Sequence, residues 1–241
     1  MFGDMIAYFS TPENWGGSQG ILARLQEHLG YSLLAVAIAG LIAVPIGLYI
    51  GHTGRGSVFA VGLANVLRAL PSLGLMTLLV LTMGLGLFPP VIALVVLAIP
   101  PILAGVYAGV QNVDRNTVDA SRAMGMRERQ IVFGVEIPIA MPLIIGGFRS
   151  ATLQVIATAT IAAYVNLGGI GRYIFDGLAV YDYGRVLVGA VLVTALAIVV
   201  DGVLAWVEGR VGPARRAIRT PVLATRGERL GTETVAVAVS R

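Results

Sequence analysis

Lysine and cysteine are absent from this chain of 241 residues, and charged residues of all kinds make up only 12% of it. All 17 basic residues are therefore arginines. A phosphate-binding loop of the form G-x-x-x-x-G-K-[ST] needs a lysine, so a nucleotide that drives this protein must be bound by another polypeptide. The lack of cysteine excludes disulfides, thiolate metal sites and a cysteine nucleophile.

Histidine is also scarce, since only His28 and His52 occur. The sequence contains no H-E-x-x-H pattern and no pair of carboxylates within an apolar run, and these are groups that an intramembrane enzyme needs. We therefore expect a protein that has no enzymatic activity of its own and binds neither a metal nor a cofactor itself.

Apolar residues, in contrast, account for 56% of the chain, which is typical of a multi-span membrane protein. A helix needs about 20 apolar residues to cross a hydrocarbon core of about 30 Å. Four apolar runs reach that length, at residues 29–51, 88–110, 139–165 and 186–207. Small and polar residues are spread over several sides of the run at 139–165, so we expect that span to be largely enclosed by protein.

Another apolar segment, residues 58–87, is too long for one straight span, since about 30 residues of helix reach about 45 Å. Arg68 and Pro71 interrupt it. We predict one broken span whose crossing portion is residues 70–87, which makes five spans in total and an all-α membrane protein.

The arginines outside the spans predict the orientation. Five spans place twelve of them on one side, namely Arg55, four between spans three and four, and seven from Arg210 onward. Arg24, Arg172 and Arg185 fall on the other side. Because cytoplasmic segments are enriched in basic residues, we expect the amino terminus outside and the carboxyl terminus inside.

The predicted spans and their orientation divide the chain into three parts. Residues 1–28 form an N-terminal segment, residues 29–210 the membrane domain, and residues 211–241 a flexible cytoplasmic tail. Within 18–29 an apolar stripe lies opposite a polar one, which predicts a helix in the membrane interface. The polar stripe consists of Arg24, Gln26, Glu27 and His28.

A charged island at residues 119–138, DASRAMGMRERQIVFGVEIP, separates spans three and four. Its pattern predicts two short helices around a turn, with Asn116 as N-cap, Gly125 in the left-handed conformation and Pro138 at the end of the second helix. An amphipathic hairpin packed on the membrane surface would show the same pattern. A DNA-binding helix-turn-helix is disfavoured because the island lies between two spans.

The spacing within the island resembles the EAA loop of permease subunits of bacterial ABC importers, E-A-A, three residues, Gly, nine residues, I-x-L-P. Here the order is D-A-S, three residues, Gly125, nine residues, V-x-I-P. The resemblance implies that a loop at about 111–138 forms coupling helices that dock on a separate ATPase subunit. The residues it assigns to coupling are Asp119, Ala120, Ser121, Gly125, Val135, Ile137 and Pro138.

Three further stretches resemble permeases for the osmoprotectants glycine betaine, carnitine, choline and proline betaine: NVLRALPSLG at 65–74, AIPPILAGVYAGV at 98–110 and NLGGIGRYIFDG at 166–177. This resemblance implies a type I importer permease (MetI-like) fold in the plasma membrane of a bacterium, and alternating access. The implied partners are a second permease subunit, ATPase subunits holding ATP and Mg²⁺, an extracytoplasmic solute-binding protein and the lipid bilayer, with no nucleic acid.

Two other functions remain open at this point. One is an importer of another small solute, such as an amino acid of the methionine type, and the other is a passive channel or membrane scaffold. Uptake measurements separate the first from an osmoprotectant importer, and co-purification of an ATPase subunit excludes the second.

Polar and glycine residues near the spans are candidates for the translocation path or its gate. An arginine inside a span is costly, so Arg68 and Arg149 either line the path or have a structural role, for example by pairing with Asp201. Three glycines within four residues indicate that the chain turns after Asn166 and approaches another element closely. The candidates are Asn65, Arg68, Pro71, Ser72, Arg149, Thr160, Tyr164, Asn166, Gly168, Gly169 and Gly171.

Overall fold

The computed structural model describes residues 1–211 and is almost entirely helical there. The predicted tail lies, from residue 212 on, outside the described residues. The α-helices are α1 Phe2–Ser10, α2 Ile21–Thr53, α3 Ser57–Ala69, α4 Ser72–Met83, α5 Phe88–Gln111, α6 Arg115–Ala123, α7 Glu128–Ile131, α8 Ile137–Ala162, α9 Gly171–Ala179 and α10 Tyr183–Val211. Two 3-10 turns, Pro12–Asn14 and Ala163–Val165, and a π-helical turn, Val132–Glu136, connect them.

Four helical segments are long and apolar enough to cross a membrane: α2, α5, the continuous segment from α7 through α8, and α10. Helices α3 and α4 meet at an angle of 87°, and if this bent pair is counted as one broken span, as the sequence predicts, the total is five. The break falls at Leu70 and Pro71, where the backbone is extended. Helix α4 ends earlier than predicted, at Met83, because Gly84 follows with φ +86°.

Helix α5 lies at the centre and packs against α2 on one side and α8 on the other. Glycines make both contacts close. A Cβ atom at Gly47 would lie 2.8 Å from Val106 Cβ, and one at Gly105 would lie 2.7 Å from Gly147 Cα. The small residues of the sequence therefore mark helix crossings, because a methyl group at either position would force the backbones apart.

Span four, which we expect to be largely enclosed by protein, is only partly enclosed by the described residues of this chain itself. Fifteen of the 24 residues of α5 are buried, against nine of the 26 residues of α8. Hydroxyls on α8 are satisfied within the helix: the buried Thr152 and the half-buried Thr158 each donate a hydrogen bond to a carbonyl one turn back.

The prediction of a separate interfacial helix at 18–29 is also wrong. It is the first part of α2, which runs without a break to Thr53 and reaches about 50 Å at 1.5 Å per residue. Ile21 and His28 are fully buried. Three of the four residues of the polar stripe, Arg24, Glu27 and His28, have polar partners within the protein, as described below, and Gln26 is exposed.

Candidate functional site

The charged island forms a hairpin of α6 and α7 at one end of the bundle. Helix α6 is capped by Asp114, whose Oδ1 accepts a hydrogen bond of 3.0 Å from the backbone N–H of Asn116. The predicted N-cap, Asn116, is thus inside the helix. Both residues are good caps, and the sequence pattern alone does not show which one has the extended backbone that the cap position requires.

Gly125 has the predicted left-handed conformation, with φ +84°. It ends α6 in a Schellman motif. Its N–H donates to the carbonyl of Arg122 at 2.9 Å, and the N–H of Met126 donates to the carbonyl of Ser121 at 3.2 Å. The turn thereby satisfies the last carbonyls of α6 and fixes the direction in which α7 leaves.

A small apolar core holds the hairpin together. Val113, Val118 and Ile131 are buried against one another, with Met126 packed beside them. Ser121 is buried at the same face, and its hydroxyl donates to the carbonyl of Thr117 at 2.8 Å. The hairpin is therefore a folded unit with its own interior.

Charge pairs join the two helices of the hairpin on the outside. Arg122 donates to both oxygens of Glu128, at 2.9 and 3.1 Å, and to Asp119 at 3.0 Å. The hydrogen bonds to Glu128 raise the pKa of the Arg122 guanidinium above its ordinary value. The two-point contact with Glu128 sets the angle between α6 and α7.

The exposed surface at the end of α6 includes an apolar patch beside these charge pairs. Ala120, Ala123 and Met124 are all exposed, and Met124 is exposed to 76%. The buried face of α6 consists instead of Val118 and Ser121. A hairpin lying flat on lipid through Ala120, Ala123 and Met124 would leave no face for a protein partner, whereas a hairpin directed away from the bundle presents these residues to one.

The predicted coupling residues fall into two groups. Asp119, Ala120 and Gly125 lie on the exposed part of the hairpin, and Ser121 lies in its interior. The others belong to the helix that follows, and they are Val135 in the π-helical turn and Ile137 and Pro138 at the start of α8.

The prediction that Pro138 ends the second helix is wrong. Pro138 lies in the first turn of α8. The π-helical turn explains this difference. The N–H of Ile137 donates to the carbonyl of Val132, five residues back. The proline follows at an early position of the α-helix, where its missing N–H is tolerated.

A second group of predicted residues surrounds the elbow between α3 and α4. Asn65 and Arg68 line a cavity of about 250 Å³ between α3 and α5, together with Tyr107. Pro71 and Ser72 form the elbow itself. Within residues 1–211, Arg68 forms no ion pair. An exposed cation next to an apolar cavity can meet an anionic group that enters from outside the subunit.

Arg149 is not part of this cavity. It donates to both oxygens of Asp201, at 2.6 and 2.8 Å, and to Glu208 at 3.1 Å, and so joins α8 to α10. The predicted pairing with Asp201 is confirmed. The geometry favours the structural role of Arg149 over a place in the translocation path.

The glycine-rich stretch turns as predicted, with Asn166 at φ 66° and Gly169 at φ +84°. The N–H of Gly169 donates to Oε2 of Glu27 at 2.7 Å, and Arg24 donates to the same oxygen at 3.0 Å. The next residue of α2, His28, contacts the Ile156 carbonyl through Nε2 at 3.0 Å. These contacts are the polar partners of the stripe on α2.

The remaining predicted path residues lie around this turn. Gly168 lies against Glu27, and Gly171 lies against the Thr160 carbonyl so closely that a side chain at Gly171 would overlap it. The Tyr164 ring is 5.6 Å from that of Phe175. Glu27 was missed as a functional candidate, since its partner is 142 residues away in sequence.

The fold and the hairpin define a class: a multi-span helical membrane protein with one compact polar hairpin at the end of the bundle. A family model described as "Binding-protein-dependent transport system inner membrane component" matches residues 43–213. The chain belongs to this family. It is a permease subunit of an ABC importer, a multi-pass protein of the bacterial inner membrane that works with a separate ATPase and a binding protein.

Two curated relatives agree with this assignment. The choline transport system permease protein OpuBB of Bacillus subtilis is 37% identical over 80% of this chain and 89% of its own length. The carnitine transport permease protein OpuCB of Listeria monocytogenes is 38% identical over 83% of this chain and 90% of its own length.

The fold also matches a solved structure, an inward-facing conformation of the MetNI methionine ABC transporter. The TM-score is 0.71, with 80% of this chain and 96% of that chain covered at 21% sequence identity. The MetI-like fold predicted from the sequence is thereby confirmed.

Proposed function

We propose that this permease subunit imports a small quaternary-ammonium osmoprotectant, such as glycine betaine, carnitine, choline or proline betaine. The observation that carries the proposal is the extent of the match to relatives whose names state choline or carnitine transport. It covers at least 80% of this chain at 37 to 38% identity. The likeness to the methionine transporter, at 21% identity, concerns the fold alone.

In this proposal the hairpin of α6 and α7 points into the cytosol and couples ATP hydrolysis by a separate subunit to transport. Its exposed apolar residues Ala120, Ala123 and Met124 would enter a groove on an ATPase subunit, and Asp119 and Gly125 would set the docking geometry. ATP and Mg²⁺ would be held by that subunit. The carboxyl terminus would lie on the same side as the hairpin, and the amino terminus outside.

Transport would require two permease subunits, since five spans with so many small residues do not enclose a path alone. The elbow of α3 and α4 carries exposed apolar side chains that a second subunit, a copy or a paralogue, would cover, including Val58, Phe59 and Leu81. The cavity at Asn65 and Arg68 would then lie near the path, where Arg68 could meet the carboxylate of a betaine or of carnitine.

The cycle would be alternating access. Binding of ATP would bring the two ATPase subunits together, the hairpins would move with them, and the spans would open outward to receive substrate from the solute-binding protein. Hydrolysis would restore the inward-facing state. Choice among quaternary-ammonium compounds would lie mainly with the solute-binding protein.

Uptake of radiolabelled compounds tests this proposal. The permease is expressed with the ATPase and the solute-binding protein encoded beside it, in a bacterium that lacks other osmoprotectant uptake. We expect ATP-dependent uptake of at least one of the four osmoprotectants, increased by osmotic stress, and none of methionine. Uptake of methionine alone would contradict the substrate class, and uptake independent of ATP would contradict the importer.

A further inference from the structure

His52 lies between two carboxylates at the base of the hairpin. It is near the end of α2, and its Nδ1 is 2.7 Å from Oε2 of Glu136, while its Nε2 is 3.0 Å from Oε2 of Glu128. The side chain of Glu136 is only 2% exposed and that of His52 only 13%. The imidazole is thus the direct polar link between α2 and the segment that contains the hairpin.

The number of protons at this contact is fixed by its geometry. Each of the two short nitrogen–oxygen contacts needs one hydrogen atom. A neutral imidazole with two carboxylates supplies only one, so the second ring nitrogen would face a carboxylate oxygen with lone pairs on both atoms. The observed arrangement therefore needs two protons, as in an imidazolium between two carboxylates.

The link belongs to a continuous chain of contacts. Glu128 opens α7 and also accepts from Arg122 of α6, which in turn donates to Asp119. Glu136 ends the π-helical turn that leads into α8. A movement of α6 would thus reach α2 through His52, and from there the glycine contacts between α2 and α5.

The charged surroundings of the imidazole are limited. Glu128 and Arg129 of α7 face the imidazole, and both line one surface pocket together with His52. Glu136 faces it from the π-helical turn. Its own helix contributes Tyr49. Arg122 and Asp119 of α6 act through Glu128, and α5 has no charged residue between Phe88 and Gln111.

We propose that His52 is the positioning residue that transmits movement of the hairpin to α2, through its contacts with Glu128 and Glu136. The inference rests on the proposed coupling function. It adds a residue outside the hairpin to that function.

The first test replaces the imidazole. The permease with its ATPase and binding protein is reconstituted in proteoliposomes, and substrate uptake is divided by the ATP hydrolysed. We expect His52→Phe to lower this ratio about tenfold, in the range of measured couplings between sites. Thr53→Val is the matched control, because the Thr53 hydroxyl contacts only backbone groups at the end of α2: it donates to the Tyr49 carbonyl and accepts from the Arg55 N–H. This variant should leave the ratio unchanged.

The second test keeps the shape of the contact and removes the Glu136 charge. In Glu136→Gln, the amide can donate to a neutral Nδ1 while Nε2–H donates to Glu128, so both contacts of His52 persist. We expect this variant to keep the ratio of the natural protein, in contrast to His52→Phe.

The outcomes are distinguishable. If the natural complex transports and His52→Phe has the same ratio, or if Glu136→Gln lowers the ratio as much as His52→Phe does, the inference about His52 is overturned while the importer stands. If the natural complex itself shows no ATP-dependent uptake of any osmoprotectant, the proposed function fails first. Co-purification of the ATPase with each variant shows that assembly is intact.

Discussion

The two ends of α2 are joined to the rest of the bundle by different chemistry. At the hairpin end, His52 contacts the side chains of Glu128 and Glu136. At the other end, Glu27 accepts from the backbone N–H of Gly169. A contact between two side chains can break through a rotamer change of either partner, whereas in the Glu27 contact the N–H donor moves only if the turn does. We infer that the hairpin end of α2 is the movable end and the glycine-rich end the fixed one.

Among substitutions at the two ends, Gly125→Asp in the hairpin is expected to have the largest effect on uptake. A side chain in the left-handed conformation costs about 1 kcal/mol and misdirects α7. We expect uptake to be abolished while substrate capture by the binding protein persists, as measured by radiolabelled uptake and by ligand binding.

A nearby glycine provides the control for Gly125. Gly134 lies in the π-helical turn, and a Cβ there would meet only Met126, at 3.8 Å. Gly134→Ala should retain uptake. Normal uptake by Gly125→Asp would remove the hairpin from the mechanism.

At the fixed end, Gly171→Ala should impair folding and leave coupling unchanged. Its new methyl group would overlap the Thr160 carbonyl, and overpacking of this kind costs about 1–3 kcal/mol. We expect a lower Tm in detergent and less folded protein, with a normal ratio of uptake to ATP hydrolysed for the molecules that fold. Gly202→Ala is the control, since nothing lies within 4 Å of that position; equal Tm values for the two variants would contradict the close packing.

Removal of the Glu27 carboxylate should have a smaller effect of the same kind. Glu27→Ala leaves the Gly169 N–H without its acceptor, which costs about 1 kcal/mol at a partly exposed site. A decrease in Tm is expected, with substantial recovery in Glu27→Gln, which keeps an acceptor oxygen. Gln26 is an exposed neighbour of Glu27, so Gln26→Ala is the control and should not change Tm. If Glu27→Ala changed the ratio of uptake to ATP hydrolysed without changing Tm, the glycine-rich end would be the one involved in coupling.

The smallest effect is expected for Arg122→Gln at the movable end. This exposed side chain sets the angle of α6 to α7 through Glu128, and its loss should lower uptake by about twofold to threefold, since exposed ion pairs contribute little. Arg129→Gln serves as the control, because it lowers the net charge by the same amount as Arg122→Gln. An Arg122→Gln effect that does not weaken at high salt would indicate that its charge pairs are not involved.

Local signals predicted the spans and the hairpin turn correctly. The four long apolar runs correspond to four membrane-crossing helical segments, the interruption at Pro71 marks the bend between α3 and α4, and Gly125 has the predicted left-handed conformation. The errors came where a distant partner decides the outcome. The polar stripe of α2 resembles an interfacial helix because nothing near Glu27 in sequence reveals its contact with Gly169.

The same reason applies to the hairpin base. Pro138 normally indicates the end of a helix, and the π-helical turn that accommodates it has no reliable sequence signal. His52, Glu128 and Glu136 are brought together by the tertiary fold. Single-sequence spacing therefore located the hairpin but did not reveal its connection to α2.

Site-specific labelling of the hairpin tests the central claim most directly. The natural chain has no cysteine, so Met124→Cys and Tyr181→Cys each introduce a single thiol, at positions exposed to 76% and 78%. The account predicts that Cys at 124 reacts only from the cytosol and forms cross-links to the ATPase subunit, while Cys at 181 reacts from outside and forms none. Labelling of position 124 from outside the cell, or its failure to cross-link in an actively transporting complex, would contradict the account.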